Sequence, residues 1–227
     1  MTVSRRHLVA LIGAALTSAV ALSDAVVRGA TGHSLLSSDN AGPVAWILAV
    51  DLVHGLTYAA LSWVLVGERH RVRRTSRFVR ALHHALVASM SVLAAGFVLV
   101  DPVVRIAHLP SDAPLAAAWG WIGGIGFAGM ILSCLLLGIA VLRSNPLGYG
   151  GRVLGLLVPV LVATVLLGLV GSDWAHPAYA ETVIYVGVAL LGIGAPAART
   201  EAADGPDTRQ QPGEHPTARD AELKPEN

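Results

Sequence analysis

Apolar and small residues fill six long stretches of the chain, at about 7–28, 43–66, 80–101, 115–142, 153–171 and 178–196. Each is close to or above the roughly 20 residues a helix needs to cross the hydrocarbon core of a bilayer. Barrel strands would alternate apolar and polar positions and be about half as long, and only helices or closed barrels satisfy their backbone in lipid. The pattern therefore predicts an all-α fold, a bundle of six transmembrane helices forming one domain over residues 1–196. The connections carry the turn signals AGP, LPSDAP, SNPLGYGG and HP. From Ala197 onward the apolar pattern stops, and residues 197–227, rich in Pro, Glu, Asp and Ala, are expected to be a disordered cytoplasmic tail.

Composition strengthens this reading. Of 227 residues, 54% are hydrophobic and 14% charged, against about 25% charged in a soluble domain; the mean hydropathy is +0.61. The arginines then predict an orientation. Arg5, Arg6, Arg69, Arg71, Arg73, Arg74, Arg77, Arg80, Arg143 and Arg152 fall on one set of ends, while Arg28 and Arg105 alone fall on the other. Ten against two is a positive-inside pattern, so both termini are expected in the cytoplasm of a multi-pass cell-membrane protein. The fifteen Arg against one Lys, with abundant Ala, Gly and Val, suggest a bacterial source. The opening SRRHLVALIGAALTSAVA resembles a cleavable signal, but apolar character runs on through Val26 and Val27, which favours an uncleaved first helix. The two sets of three spans show no internal repeat of the kind seen in inverted-repeat transporters.

Charge inside the apolar stretches is the main chemical signal. A charged side chain at a helix centre costs about 2.5–3.5 kcal/mol on insertion scales. Asp51 lies eight residues past Pro43, about 12 Å into the second span. In AVDLVHGLTY the spacings of three, four and seven set Asp51, His54 and Tyr58 on one helix face, with Gly55 able to admit a neighbouring helix. A carboxylate beside an imidazole suits a proton relay or part of a ligand site; the alternative is a polar clasp, Asp51–His54 or Asp51–Tyr58, at a helix contact. Asp24, Asp101 and Glu181 lie toward the same, outer, ends of three other spans, with His108 and His176 in adjacent loops. Together they form a candidate acidic mouth around the Asp51–His54–Tyr58 centre, although singly each acid also marks where its helix meets the headgroups.

Other features read as packing or topology. Cys134, the sole cysteine, excludes an internal disulfide and any multi-cysteine metal site and is expected to be a small core residue. His83 and His84 lie too close to the cytoplasmic end to share a haem with His54, so no metal and no cofactor is expected. Gly120, Gly124 and Ala128 in WGWIGGIGFAGM are expected to form a small-residue packing face; no strand precedes them, as a nucleotide loop would require. The basic connection bearing Arg69, Arg71, Arg73, Arg74 and Arg77 is foremost the topology signal, and its expected partners are the lipid bilayer and anionic headgroups. A net charge of +1 carries no nucleic-acid signal.

Three segments resemble a bacterial and archaeal six-span family catalogued as domain of unknown function 998. GHSLLSSDNAGPVAWILAVDLVHGLTYAAL is similar to its HP-x-S-x-L-S…GW…G-L-x-Y-x-A pattern, FVLVDPVVRIAHLPSDAP to its F-x-x-D-P segment, and YAETVIYVGVALLGIG to its E-R-V segment. The resemblance covers about residues 8–196 and singles out His33, Ser37, Ser38, Asp101, Pro102 and Glu181. The family often has a histidine early in the fourth span and a neutral residue at position 51; this chain has AWGWIGGIG and Asp51. The family name implies a fold but no activity.

The expected function is thus non-enzymatic: binding or passing a small ligand, ion or lipid through an acid-lined outer half of the bundle. Two other classes stay open. One is a membrane-embedded acid–base enzyme acting on a lipophilic, isoprenoid-like substrate, for which 5% aromatic residues offer few faces to steady a carbocation. The other is a structural or sensory protein recruiting a partner through its tail.

Overall fold

The computed structural model describes residues 4–34, 44–142 and 145–195. All regular structure among them is helical: α1 (Arg5–Thr31), α2 (Val44–Val72), α3 (Arg77–Ala95), a π-helical turn (Gly96–Val100), α4 (Asp101–Ile106), α5 (Pro114–Val141), α6 (Gly148–Gly155), α7 (Leu157–Leu169) and α8 (Ala178–Ala189). The stretches Arg5–Thr31, Val44–Val72, Arg77–Ile106, Pro114–Val141 and Gly148–Leu169 are long and apolar enough to cross a membrane. The described residues all belong to one compact unit; the predicted tail, residues 197–227, lies outside the described residues.

Helix ends differ from the sequence expectation for identifiable reasons. The third span, expected to stop at Asp101, continues to Ile106 because the ladder widens before Pro102. The Asp101 amide donates to the Gly96 carbonyl, five residues back, and this slack absorbs a proline that would otherwise clash with the preceding turn. The fifth span begins earlier than expected, at Gly148, and breaks at Leu156. Pro159 lies four residues beyond Gly155 and supplies no amide for its carbonyl. The sixth helix is shorter than the expected 178–196. Its 12 residues rise only about 18 Å, and the chain then turns through Gly192 and Gly194, both at positive φ, a conformation glycine adopts without steric cost. That turn is held by the Gly192 amide on the Leu147 carbonyl and the Tyr149 amide on the Ile193 carbonyl.

The core runs between α2, α3, α5 and α8, where Leu61, Leu65, Leu86, Met90, Met130, Leu137 and Tyr185 are fully buried. Cys134 is buried among them as expected. Outward, Trp121, Ile125, Leu169 and Val170 are each at least 70% exposed. Apolar exposure on this scale along long helices is what a bilayer solvates and water does not.

Small residues set the helix spacing, but not those expected. A Cβ at Gly120 or Gly124 would meet no atom within 4 Å, and Ala128 is exposed, so this stripe is not a packing face within the described residues. The buried stripe of α5 is instead Gly126, Met130, Cys134, Leu137 and Val141. It is offset by two residues, about 200° around the helix. Gly55 does what its position predicts, since a Cβ there would press on Phe97 and Val98 of the π turn.

Between α1 and α2 the buried Thr17 and Thr57 hydroxyls lie 2.8 Å apart. Thr57 donates to the Val53 carbonyl, so Thr17 is the donor of the pair. Thr17→Val, which keeps the shape, is expected to lower stability by about 0.6 kcal/mol, the usual worth of such an intramembrane bond. Reversible unfolding in mixed micelles would measure it; no change would mean the bond is replaced in the unfolded helices.

Candidate functional site

Helix α2 presents Asp51, His54 and Tyr58 along one face as the spacing requires, yet none of the three bonds to another. Asp51 is 6% exposed and pairs with Arg105 of α4, whose Nε donates to Oδ2 at 2.6 Å. The intra-row clasp is therefore not the arrangement found. The extension of the third span beyond Asp101 is what brings Arg105 there, one helical turn past that residue. His54 Nδ1 is 2.9 Å from the Val50 carbonyl. A carbonyl can only accept, so Nδ1 carries a proton and donates to it. The Tyr58 hydroxyl lies 2.9 Å from that of Tyr185, which donates to Glu181 Oε2 at 3.1 Å. A carboxylate at one end orders this chain: Tyr58 donates to Tyr185, and Tyr185 to Glu181.

These groups surround one cavity of about 200 Å³, lined by Asp51, His54, Tyr58, Arg105 and Glu181 with apolar walls from Ile47, Val50, Phe97 and Phe127. Phe97 stacks on His54 at 5.8 Å and on Tyr58 at 5.9 Å between centroids, and Trp119 meets it edge-on. The π turn thereby locks two rings of α2 in place. A wider depression of about 400 Å³ adjoins it, lined by Val44, Ile47, Val104, Arg105, His108 and Leu109. Ile47 and Arg105 belong to both, so the Arg105–Asp51 pair stands where the depression meets the cavity.

The expected acidic mouth is only partly assembled. Glu181 joins the Asp51 cavity. Asp101 accepts from the Trp119 indole at 2.9 Å and, without lining the cavity, lies within electrostatic range of Asp51 and Arg105. Asp24 accepts from the Ser34 hydroxyl at 2.8 Å and lies 3.2 Å from His176 Nε2, which ties the end of α1 to the segment before α8. His33 is exposed and bonds locally to Thr31, Pro102 sits in the first turn of α4, and Ser37 and Ser38 lie outside the described residues. His83 is buried with Nε2 3.0 Å from the Leu65 carbonyl, a bond between α3 and α2. Among the described residues no group of three or more His, Cys, Asp or Glu side chains is placed to hold a metal ion.

Arg105, Tyr185 and Phe97 were not singled out by the sequence. Arg105 reads there as a loop charge counted for topology; its signal was the four-residue spacing from Asp101, which makes sense only once the helix passes Pro102. Tyr185, four residues after Glu181, was legible as a same-face partner. Phe97 gave no signal. No protein-family model, curated protein or solved structure matches this chain.

Proposed function

We propose that this is a six-span protein of the cell membrane, with both termini cytoplasmic, that binds a small cation in the Asp51–Glu181 cavity. The observation that carries the reading is the charge of the lining: two carboxylates face one guanidinium, with a third carboxylate, Asp101, in electrostatic range. Low-dielectric walls strengthen such an imbalance, and a cation entering would offset it. No three acidic or histidine side chains among the described residues are placed to chelate a metal ion, so the lining suits an ammonium ion, for which Glu181 supplies charge and Phe97 and Phe127 supply aromatic faces. Size favours an ion or small amine over a lipophilic substrate. The cavity of about 200 Å³ is below the roughly 300–1,000 Å³ of pockets that enclose drug-sized ligands. The ten-to-two arginine distribution supports the orientation, which sets the cavity in the outer half. The resemblance to the domain of unknown function 998 family belongs to the same proposal.

The test is equilibrium dialysis of the purified full chain against radiolabelled methylammonium, with sodium as competitor. Saturable binding is expected, weakened at least about tenfold by Glu181→Gln, one lost charge-assisted contact. Asp24→Asn, outside the cavity, is expected to leave it unchanged. Equal binding by the wild type and Glu181→Gln would sink the reading.

A further inference from the structure

A second polar cavity, of about 350 Å³, lies between the start of α1, the end of α2 and the turn after α8. It is centred on Glu68, seventeen residues along α2 from Asp51 and so about 25 Å away. The sequence offered no reason to single out Glu68, which falls just past the second apolar stretch. Its side chain is only 5% exposed. Oε1 accepts from Arg6 Nη2, and Oε2 lies 2.8 Å from Arg71 Nε. The carboxylate thus holds two guanidiniums, one from each helix, at the edge of the cavity. A Cβ on Gly192 would overlap this carboxylate, so the left-handed glycine is what lets the turn after α8 close one wall.

The charges do not cancel. His7 has both ring nitrogens engaged: Nε2 donates to the Leu191 carbonyl at 2.9 Å, and Nδ1 lies 2.6 Å from the Ser4 hydroxyl. Nε2 also lies 4.0 Å from Glu68 Oε1; leaving that ring aside, two arginines against Glu68 leave one positive charge in excess. Arg6 Nε, Arg71 Nε and Glu68 Oε2 are each buried without a hydrogen-bond partner, so the Arg71–Glu68 approach is an ion pair without hydrogen-bond alignment and each guanidinium keeps a donor unmet, which is costly for a charged group. A lining with surplus positive charge and two guanidiniums that each keep a donor unmet suits an anion with several acceptor oxygens. Guanidinium forks match the paired oxygens of a phosphate group as they do those of a carboxylate, and a phosphate keeps further oxygens for a second guanidinium.

We propose that the Arg6–Glu68–Arg71 cavity is a discrete binding site for a phosphate group, carried by an anionic lipid headgroup or free in solution. It is separate from the cation cavity and does not depend on that reading. It also differs from a diffuse basic patch. Of the arginines in the α2–α3 connection only Arg71 lines it; Arg69, Arg73, Arg74 and Arg77 are exposed. Glu68 is the competitor inside the site, filling the guanidinium faces that a phosphate would otherwise take.

That competition makes the test specific. The purified full chain in neutral micelles would be titrated with short-chain phosphatidylglycerol and, separately, with inorganic phosphate, bound ligand being counted by native mass spectrometry. Phosphatidylglycerol binding one-to-one identifies the headgroup as the source; inorganic phosphate binding equally well identifies the free anion. Arg71→Gln is expected to weaken binding about tenfold, and the double change Arg73→Gln with Arg74→Gln to leave it within about twofold, since screened surface charges contribute little. Glu68→Gln is expected to tighten binding several-fold, the opposite of what loss of a merely structural clasp would do. If Glu68→Gln does not fold, Arg6→Gln decides: weakening comparable to that of Arg71→Gln supports the site. Binding of neither ligand overturns the proposal. So does equal weakening by the Arg73/Arg74 pair, an unmoved affinity in a folded Glu68→Gln, or an unmoved affinity in Arg6→Gln.

Discussion

Replacing Arg105 by leucine is expected to destabilise the folded bundle by about 3 kcal/mol, and a second change, Asp51→Asn, to recover most of that loss. The reasoning is one of uncompensated charge. Removing one partner of a buried ion pair commonly costs about 3–5 kcal/mol because the other charge stays buried alone. The lower end applies here, since the Arg105 side chain is 40% exposed while that of Asp51 is only 8% exposed. Arg105→Leu strands the buried Asp51 with Asp101 in electrostatic range, so repulsion adds to the desolvation. Asp51→Asn removes the stranded charge at almost constant volume. The check is a double-mutant cycle by reversible unfolding in mixed micelles. Additive effects would show that water reaching the cavity already screens the pair, and would remove the argument that the Asp51–Arg105 contact holds the cavity mouth together.

A comparable effect is expected from one methyl group at Gly150. A Cβ there would overlap the Gly187 carbonyl oxygen and the Leu191 amide nitrogen, and both are backbone atoms of the last helix and its exit. A flexible side chain can swing away from an added methyl; a backbone carries its whole helix with it. Gly150→Ala should therefore cost at least about 2 kcal/mol, within the overpacking range, and displace the turn that carries Gly192 against Glu68. Gly124→Ala makes the contrast. Its Cβ would stand in open space, so relief of glycine's backbone freedom should stabilise by about 0.5–1 kcal/mol. Unfolding midpoints of the two variants would measure both. A Gly124→Ala that destabilises would indicate a partner on that face.

How much of this was legible beforehand follows from which physical constraint each feature obeys. The apolar stretches are set by the thickness of a bilayer and by the need of every backbone group for a partner, constraints that act on any window of 20 residues regardless of its neighbours. The same-face row Asp51–His54–Tyr58 follows from helical periodicity, and Gly55 from the space its missing side chain leaves. Local rules also placed Asp24, Asp101 and Glu181 near helix ends of one kind. They failed at Pro102, where the expected stop depends on whether an upstream turn can widen, and at Gly120 and Gly124, where several small residues per turn leave the packing face undetermined. In α5 small residues fall on both sides of the helix, and contact with Leu93 and Ser89 of α3, on the side of Gly126 and Gly129, decides which side packs.

By itself, then, the sequence determined an all-helical, membrane-compatible chain, the helix face its polar residues share, and an uneven distribution of arginines among its connections. Each rests on composition and period along a single helix. The tertiary structure decided which charge meets which. Arg105 comes to Asp51 across 54 residues, Arg6 to Glu68 across 62, and Tyr58 to Tyr185 across 127. A carboxylate in an apolar stretch announces only that it needs a partner; which helix brings the partner depends on crossing angles and side-chain volumes summed over the whole bundle. The same summation separates Asp24 and Asp101 from the cavity while admitting Glu181, because each acid is committed to the nearest donor its own helix contact supplies.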